Sequence, residues 1–256
     1  MLIDTHCHID LPDFDKDRED VLNTCCTDGI NPIINPGVFC KDWNNLLGLA
    51  AKYPIIKTAI GLHPCYIEQH SKNDIEALEQ IVSSNNSIIA LGEIGLDLYG
   101  NHPDIDEQKW YFSEQVKIAK KYNMPIIVHA RKSHDLVLKT IRQLHFQNGG
   151  TIHAFSGSLQ QAQSFINLRF KLGFGGTITY ERAKRTREVL QQIPLQAIVL
   201  ETDAPFMPPY QLQGIRNTPI NLRMILKCAA ELRDIPKEEL EEITYNNSME
   251  VFGLDE

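Results

Sequence analysis

A chain of 256 residues, 43% hydrophobic and 23% charged, has the balance of a globular protein and can bury a core without disulfides or a structural metal. Its formal charge of −8 excludes a broad basic surface for nucleic acid, although a bound cation can supply positive charge locally to a phosphate substrate. No apolar run approaches the ~20 residues of a membrane span, and no basic segment followed by a long apolar one opens the chain, so a cytoplasmic protein without membrane attachment is expected.

The first element, over residues 2–8, is an extended run ending in His6-x-His8, with Asp10 and Pro12 stopping it. Side chains repeat every two residues along a strand, so His6 and His8 leave on one face, where two imidazoles can grip one cation. Cys7 points the other way. The six cysteines show no Cys-x-x-Cys and no regular spacing, which fits free thiols in a reducing compartment.

Further apolar runs follow at 33–38, 56–63, 88–97, 125–130, 151–155, 171–178 and 197–203, making eight strand candidates with the first. Between them lie stripes at helical spacing: Trp43, Leu46, Leu47, Ala50 and Ala51; Phe112, Val116 and Ala119; Leu159, Ala162, Phe165 and Ile166; Leu222, Ile225, Leu226 and Ala229. Gly29 and Gly253 read as helix stops. Thr218 before Pro219 reads as a helix start with a capping hydroxyl. Strands apolar almost throughout, each followed by an amphipathic helix, predict an α/β fold with a parallel sheet covered by helices. Eight such units in this length predict a single-domain (β/α)₈ TIM barrel, with a doubly wound open sheet as the alternative.

Most of these runs are apolar until their C-terminal end, where chemistry-bearing residues appear. They are His6 and His8, then His63, Glu93 with Asp97, His129, His153, and Glu201 with Asp203. Carboxylates and imidazoles are costly to bury singly, so their convergence on the C-terminal rim of a barrel predicts an active site there. A donor set of histidines with Asp and Glu suits zinc, manganese, iron or cobalt, and magnesium where carboxylate dominates. Six ligands exceed the needs of one catalytic zinc, so two ions sharing a carboxylate is the economical arrangement. His70, His102, His134 and His145 lie in polar or helical stretches and are expected on the surface or in loops.

The segments Ile3-Asp-Thr-His6-Cys-His8, Gly61-Leu-His63-Pro64, Gly92-Glu93-Ile-Gly-Leu-Asp97, Pro125-Ile-Ile-Val-His129-Ala-Arg131, His153-Ala-Phe-Ser-Gly157 and Leu200-Glu201-Thr-Asp203-Ala-Pro205 occur in that order. Together they resemble the TatD family of metal-dependent hydrolases, within the amidohydrolase-like superfamily. The resemblance implies His6, His8, Glu93 and Asp203 around one divalent ion, and Glu93, His129 and His153 around a second. No lysine occurs between Lys72 and Lys109, which separates this chain from relatives that bridge their metals with a carboxylated lysine. Gly95-Leu-Asp97-Leu-Tyr99-Gly100 and Gln211-Leu-Gln-Gly-Ile-Arg216-Asn217-Thr-Pro219 resemble one subgroup of the family.

The reaction expected is hydrolysis of a phosphodiester, most simply DNA, with two divalent ions per subunit (zinc, magnesium or manganese) and no obligate protein partner. Asp203 is the candidate general base, and His63 the candidate for substrate contact or leaving-group protonation, since Pro64 fixes the chain there. Asp97 and Glu201 read as residues that orient histidine ligands, and Arg216 as a holder of substrate phosphate. The basic run Arg182, Lys184, Arg185 and Arg187 reads either as the solvated start of a helix or as a phosphate-backbone contact. The alternative is ester or amide hydrolysis at the same site, as in an aminoacyl-tRNA deacylase or a small-metabolite hydrolase. A non-catalytic binding barrel would require loss of ligands, and all six positions are intact. There is no Gly-x-Ser-x-Gly elbow and no P-loop.

Overall fold

A computed structural model describes residues 1–99 and 104–254; Gly100 and His102 lie outside the described residues. The strands are β1 (Leu2–Asp4), β2 (Ile30–Pro36), β3 (Ile56–Ile60), β4 (Ile88–Asp97), β5 (Ile126–Arg131), β6 (Gly150–Ile152), β7 (Phe170–Phe174) and β8 (Ile198–Leu200). They pair in parallel in the order β1 to β8. The helices are α1 (Arg18–Thr27), α2 (Trp43–Lys52), α3 (Asn73–Ser84), α4 (Ile105–Lys121), α5 (His134–Gln143), α6 (Leu159–Ile166), α7 (Lys184–Gln192), α8 (Leu222–Arg233) and α9 (Lys237–Phe252). This is the (β/α)₈ barrel that the alternation of apolar runs and helical stripes predicts.

Two of the four stripes are buried throughout, whereas Ala51 of α2 and Leu159 of α6 are exposed. Phe112, Val116 and Ala119 of α4, and Leu222, Ile225, Leu226 and Ala229 of α8, are all buried against the sheet. Each fully buried aliphatic or aromatic side chain contributes roughly 1.5–3 kcal/mol. Gly29 and Gly253 end α1 and α9 with left-handed backbone.

Between β8 and β1 the barrel closes at its rim through loop backbone. Thr5 N–H donates to Leu200 O at 3.1 Å, Asp203 N–H to His6 O at 2.8 Å, and His8 N–H to Ala204 O at 2.8 Å. Asp4 is fully buried and locks this seam, accepting from Thr202 N–H at 2.9 Å and Thr202 Oγ1 at 2.5 Å. Burial pushes the Asp4 carboxyl up to about 8, against the hydrogen bonds from Thr202.

Four expectations need correction. Several strands are shorter than their apolar runs: β1 stops at Asp4, β3 at Ile60, β6 at Ile152 and β8 at Leu200, so His6, His8, His63, His153 and Asp203 stand just beyond the ladders. The backbone there is carried in the loops, with Ala154 and Asp203 in left-handed conformation. Thr218 makes no capping hydrogen bond, and a 3₁₀ turn (Pro219–Asn221) precedes α8. His134 is buried, at 7% exposure, and not on the surface. His70 is half-buried, with its Nε2 3.0 Å from His63 O.

Gly95 is where β4 touches β5. Its φ is +148°, and a β-carbon there would overlap the His129 carbonyl. Gly95→Ala is therefore expected to destabilise the protein by roughly 2 kcal/mol or more. An unchanged denaturant midpoint would contradict this account of the β4–β5 contact.

Candidate metal centre

The seam brings residues from the two ends of the chain together. His6 and His8 project to the same side, their Nε2 atoms 3.2 Å apart. Cys7 between them is buried on the other side, its Sγ 3.6 Å from Ala204 O. Asp203 Oδ1 lies 3.8 Å from His6 Nε2 and 3.6 Å from His8 Nε2. Asp203 adopts left-handed backbone, with φ +56°, which Asp tolerates better than most residues. Its N–H bond to His6 O ties that turn to the first strand.

Glu93, in the middle of β4, faces both halves of the cluster. Its Oε2 is 3.1 Å from His6 Nε2 and 3.5 Å from His8 Nε2. Its Oε1 is 2.8 Å from His129 Nδ1 and 3.2 Å from His63 Nε2. The far nitrogen of His129, Nε2, lies 2.8 Å from Asp97 Oδ2. His153 stacks on His6, with ring centroids 3.6 Å apart. It places Nδ1 2.9 Å from Glu201 Oε1 and Nε2 3.8 Å from Asp203 Oδ2. Glu201 in turn accepts from Ala154 N–H at 2.6 Å. It fits only because residue 173 on β7 is glycine, since a β-carbon there would overlap the Glu201 carboxylate. Apart from Glu93, these residues stand at or just beyond the C-terminal ends of the strands.

Residues 3–253 match a family model described as TatD related DNase. The chain belongs to the TatD family. Among its relatives is the uncharacterized metal-dependent hydrolase YjjV of Escherichia coli K12, 40% identical over 98% of each chain. Another is the uncharacterized metal-dependent hydrolase YabD of Bacillus subtilis, 31% identical over 99% of this chain and 100% of that protein. The crystal structure of the E. coli TatD homologue YjjV superposes with a TM-score of 0.95, covering 99% of this chain and 98% of that one. A TatD family hydrolase from Entamoeba histolytica, 21% identical with a TM-score of 0.86 over 98% of this chain and 97% of that one, shares the fold.

The donor atoms fit a divalent cation. With metal–nitrogen bonds of ~2.1 Å, ligand atoms around a tetrahedral ion sit ~3.4 Å apart. The spacings of His6 and His8 to each other, to Glu93 and to Asp203, 3.1 to 3.8 Å, lie near that edge length. His6, Glu93 and His153 form a second convergent set. Two neutral imidazoles facing each other through Nε2 can share at most one proton, so a cation between them satisfies both lone pairs.

Electrostatics divides these groups. Burial holds His6 and His63 below the ordinary imidazole range, hence neutral. Burial opposes ionisation of Glu93, but the surrounding imidazoles, His63 and His6 foremost, hold it well below the usual carboxylate range. Asp97 is likewise held down at about 2, where hydrogen bonds from His129 and the Tyr99 N–H outweigh burial. Burial would lower His129 and His153. Asp97 and Glu93 instead raise the first to about 8, and Glu201 and Asp203 raise the second to about 10. Burial lifts Asp203 to about 6, against the pull of His153 and His8.

Arg216 stands apart from the cluster. Its guanidinium pairs with both carboxylate oxygens of Asp17, donates to Asp13 O and lies over the Phe14 ring. Sequence reasoning passed over three supporting residues. Asp4 locks the seam. Asn217, fully buried, donates to Thr202 O at 2.8 Å and Phe206 O at 2.7 Å, bracing the loop that carries Asp203. Cys65 lies with His63 and His129, its Sγ 3.2 Å from Asp97 Oδ2. The two motif segments contain Asp4 and Asn217, but a side-chain bond across nearly the whole chain, as for Asp4, or to loop carbonyls 15 and 11 residues away, as for Asn217, leaves no periodic signal.

Loading this cluster with a divalent cation is expected to release protons. His129 and His153 have folded-state values above the ordinary 6.5, so both are charged at pH 7 in the metal-free protein, whereas coordination requires neutral rings. Apparent affinity should rise with pH through about 8 and on toward 10. For the same reason, the stability these two groups lend the metal-free protein is complete below about 6.5 and lost as pH rises through their folded values. Zinc titration calorimetry at pH 7, in buffers of different ionisation heat, checks the release. Buffer-independent heats would contradict it.

Proposed function

We propose that this TatD-family metal-dependent hydrolase cleaves phosphodiester bonds, with DNA as the substrate class, using two divalent ions that share Glu93. The observation that carries this reading is the Glu93 carboxylate, whose Oε2 faces His6 and His8 and whose Oε1 faces His129 and His63. One ion would be held by His6, His8, Glu93 and Asp203, the other by Glu93, His129 and His153. Bound there, a divalent cation supplies activation of a water and neutralises charge growing on the phosphoryl oxygens.

The protein's own groups then have distinct tasks. Asp203 takes the proton of the attacking water: its carboxyl is lifted to about 6, close enough to neutrality to accept and pass on a proton. Its side chain, at 13% exposure, is also more open than that of Glu93 at 3%. Glu93, held ionised, balances cationic charge. Asp97 and Glu201 fix the ring orientations of His129 and His153, each facing the ring nitrogen opposite the centre or beside it. His63, anchored by the Cys65 N–H donating to its Nδ1 at 3.1 Å, presents Nε2 to the cluster and contacts substrate or the leaving oxygen. Ester or amide hydrolysis is the rival reading, and Arg216, paired with Asp17, adds no support for a phosphodiester against it.

A panel of labelled DNA, bis(p-nitrophenyl) phosphate, aminoacyl esters and amides, assayed with metal-loaded protein, separates the two. The expected result is turnover of the phosphodiesters, and turnover of carbonyl substrates alone would overturn the reading. Asp203→Asn is expected to lower kcat by at least about a hundredfold with an unchanged melting profile. Near-normal turnover by the folded variant would remove Asp203 from the mechanism. His6→Ala is expected to deplete one ion more than the other. Elemental analysis showing equal loss of both would contradict the division of ligands.

A further inference from the structure

Beside the metal centre, the loop after β5, the loop after β6 and the start of α7 enclose a cavity of about 370 Å³, in the range of small-ligand sites. Its wall includes Lys132, Ser133, His134, Ser156, Gly157 and Arg185. Lys132 lies three residues beyond His129, and Ser156 three beyond His153, so the cavity opens from the same rim as the centre. We propose that this cavity is an anion subsite that holds a phosphate group of the substrate adjacent to the one being hydrolysed. The assignment of its occupant rests on the phosphodiesterase reading. The anion pocket itself does not.

Three independent features point to an anion. The first is the N-terminus of α5, a helix of ten residues, whose first-turn N–H groups no intrahelical carbonyl can meet. Ser133 occupies the cap position but does not cap: its Oγ donates to Leu96 O at 2.6 Å. The second is His134, buried to 7% exposure with its Nε2 lacking any hydrogen-bond partner. Its Cδ2, next to that nitrogen, lies 3.1 Å from where a β-carbon of Gly157 would stand, so the imidazole sits directly behind the glycine in the cavity wall. An unsatisfied buried imidazole nitrogen is costly, and a phosphate oxygen would satisfy it. Burial also holds the ring down at about 4, so it is neutral and offers a single N–H.

The third feature is charge. Among the described residues Arg185 makes no ion pair. Lys132 sits over the Tyr99 ring, with its ammonium 4.7 Å from the centroid. Asp135 also lines the cavity, but its carboxylate accepts from Gln161 Nε2 at 2.9 Å. Two cations against one engaged carboxylate leave the pocket net positive in a chain of formal charge −8. Arg185 belongs to the basic run after β7, and this placement gives that run a role beyond a solvated helix start.

Two measurements test the proposal. In the first, inorganic phosphate is titrated into the metal-loaded, full-length protein while the His134 ring ¹⁵N and ¹H resonances are followed. A saturable shift in wild type that is lost in Arg185→Ala is expected. No shift, or the same shift in the variant, overturns the pocket. In the second, kcat/KM is compared between a short oligodeoxynucleotide, which carries flanking phosphates, and bis(p-nitrophenyl) phosphate, which has none. Arg185→Ala should reduce the ratio of the two by about tenfold, the order expected for one charged phosphate contact, and Lys132→Ala should act in the same direction. An unchanged ratio alongside a saturable His134 shift would mean that the pocket takes free phosphate only, which overturns the substrate subsite. If neither phosphodiester is turned over, the proposed function fails, and the phosphate titration still decides the pocket.

Discussion

The arrangement depends on one buried carboxylate. Glu93 is 2% exposed, and an ionised carboxyl in that position is several kcal/mol too costly unless charge and hydrogen bonds surround it. Four imidazoles, from His6, His8, His63 and His129, do so within 3.5 Å. The cost is also what makes the site: a carboxylate whose partners are titratable rings is a place where a divalent cation replaces protons. Behind His6 the Nδ1 has no hydrogen-bond partner among the described residues, but the other rings of the centre are each held by a neighbour. Asp97 faces His129, Glu201 sits by His153, Pro36 O lies 3.2 Å from His8 Nδ1, and the Cys65 N–H meets His63.

The second dependency is the seam between the last strand and the first. Among the described residues no ladder joins β8 to β1, only an isolated bridge between Cys7 and Ala204, so closure at the rim is carried by loop backbone and by Asp4 with Thr202. Those bonds deliver Asp203 to His6 and His8 from almost 200 residues away. Asn217 braces the far side of the same loop. A carboxylate on a braced left-handed turn keeps its position while remaining more open than its neighbours, which suits a group that exchanges protons with solvent.

The anion pocket extends the same logic outward. The strand-end histidines define where charge changes, and the loops immediately after two of them, at Lys132 and Ser156, shape what lies next to it. A barrel rim can add such neighbours by loop variation without disturbing the ladders beneath.

The alternation of apolar runs and helical stripes settled a parallel sheet covered by helices, because burying both faces of such a sheet requires that pattern, while the choice of a barrel over a doubly wound sheet was made by the tertiary structure. The polar residues closing those runs marked His6, His8, His63, Glu93, His129, His153 and Asp203 as rim residues, since a periodicity of two or 3.6 is a local property of the chain. What lay beyond local pattern was decided by the tertiary structure alone. Strands stopped short of their apolar runs because pairing depends on whether the neighbouring strand continues. His134 went inside because α5 turns its first residue toward Phe155 and Phe165. Arg216 went to Asp17, a partner invisible along the chain because it lies 199 residues away. Asp4 found its role the same way, through hydrogen bonds to Thr202 that exist only once the two ends of the barrel meet, and Asn217 found its role by bracing the loop after β8 from 15 and 11 residues away.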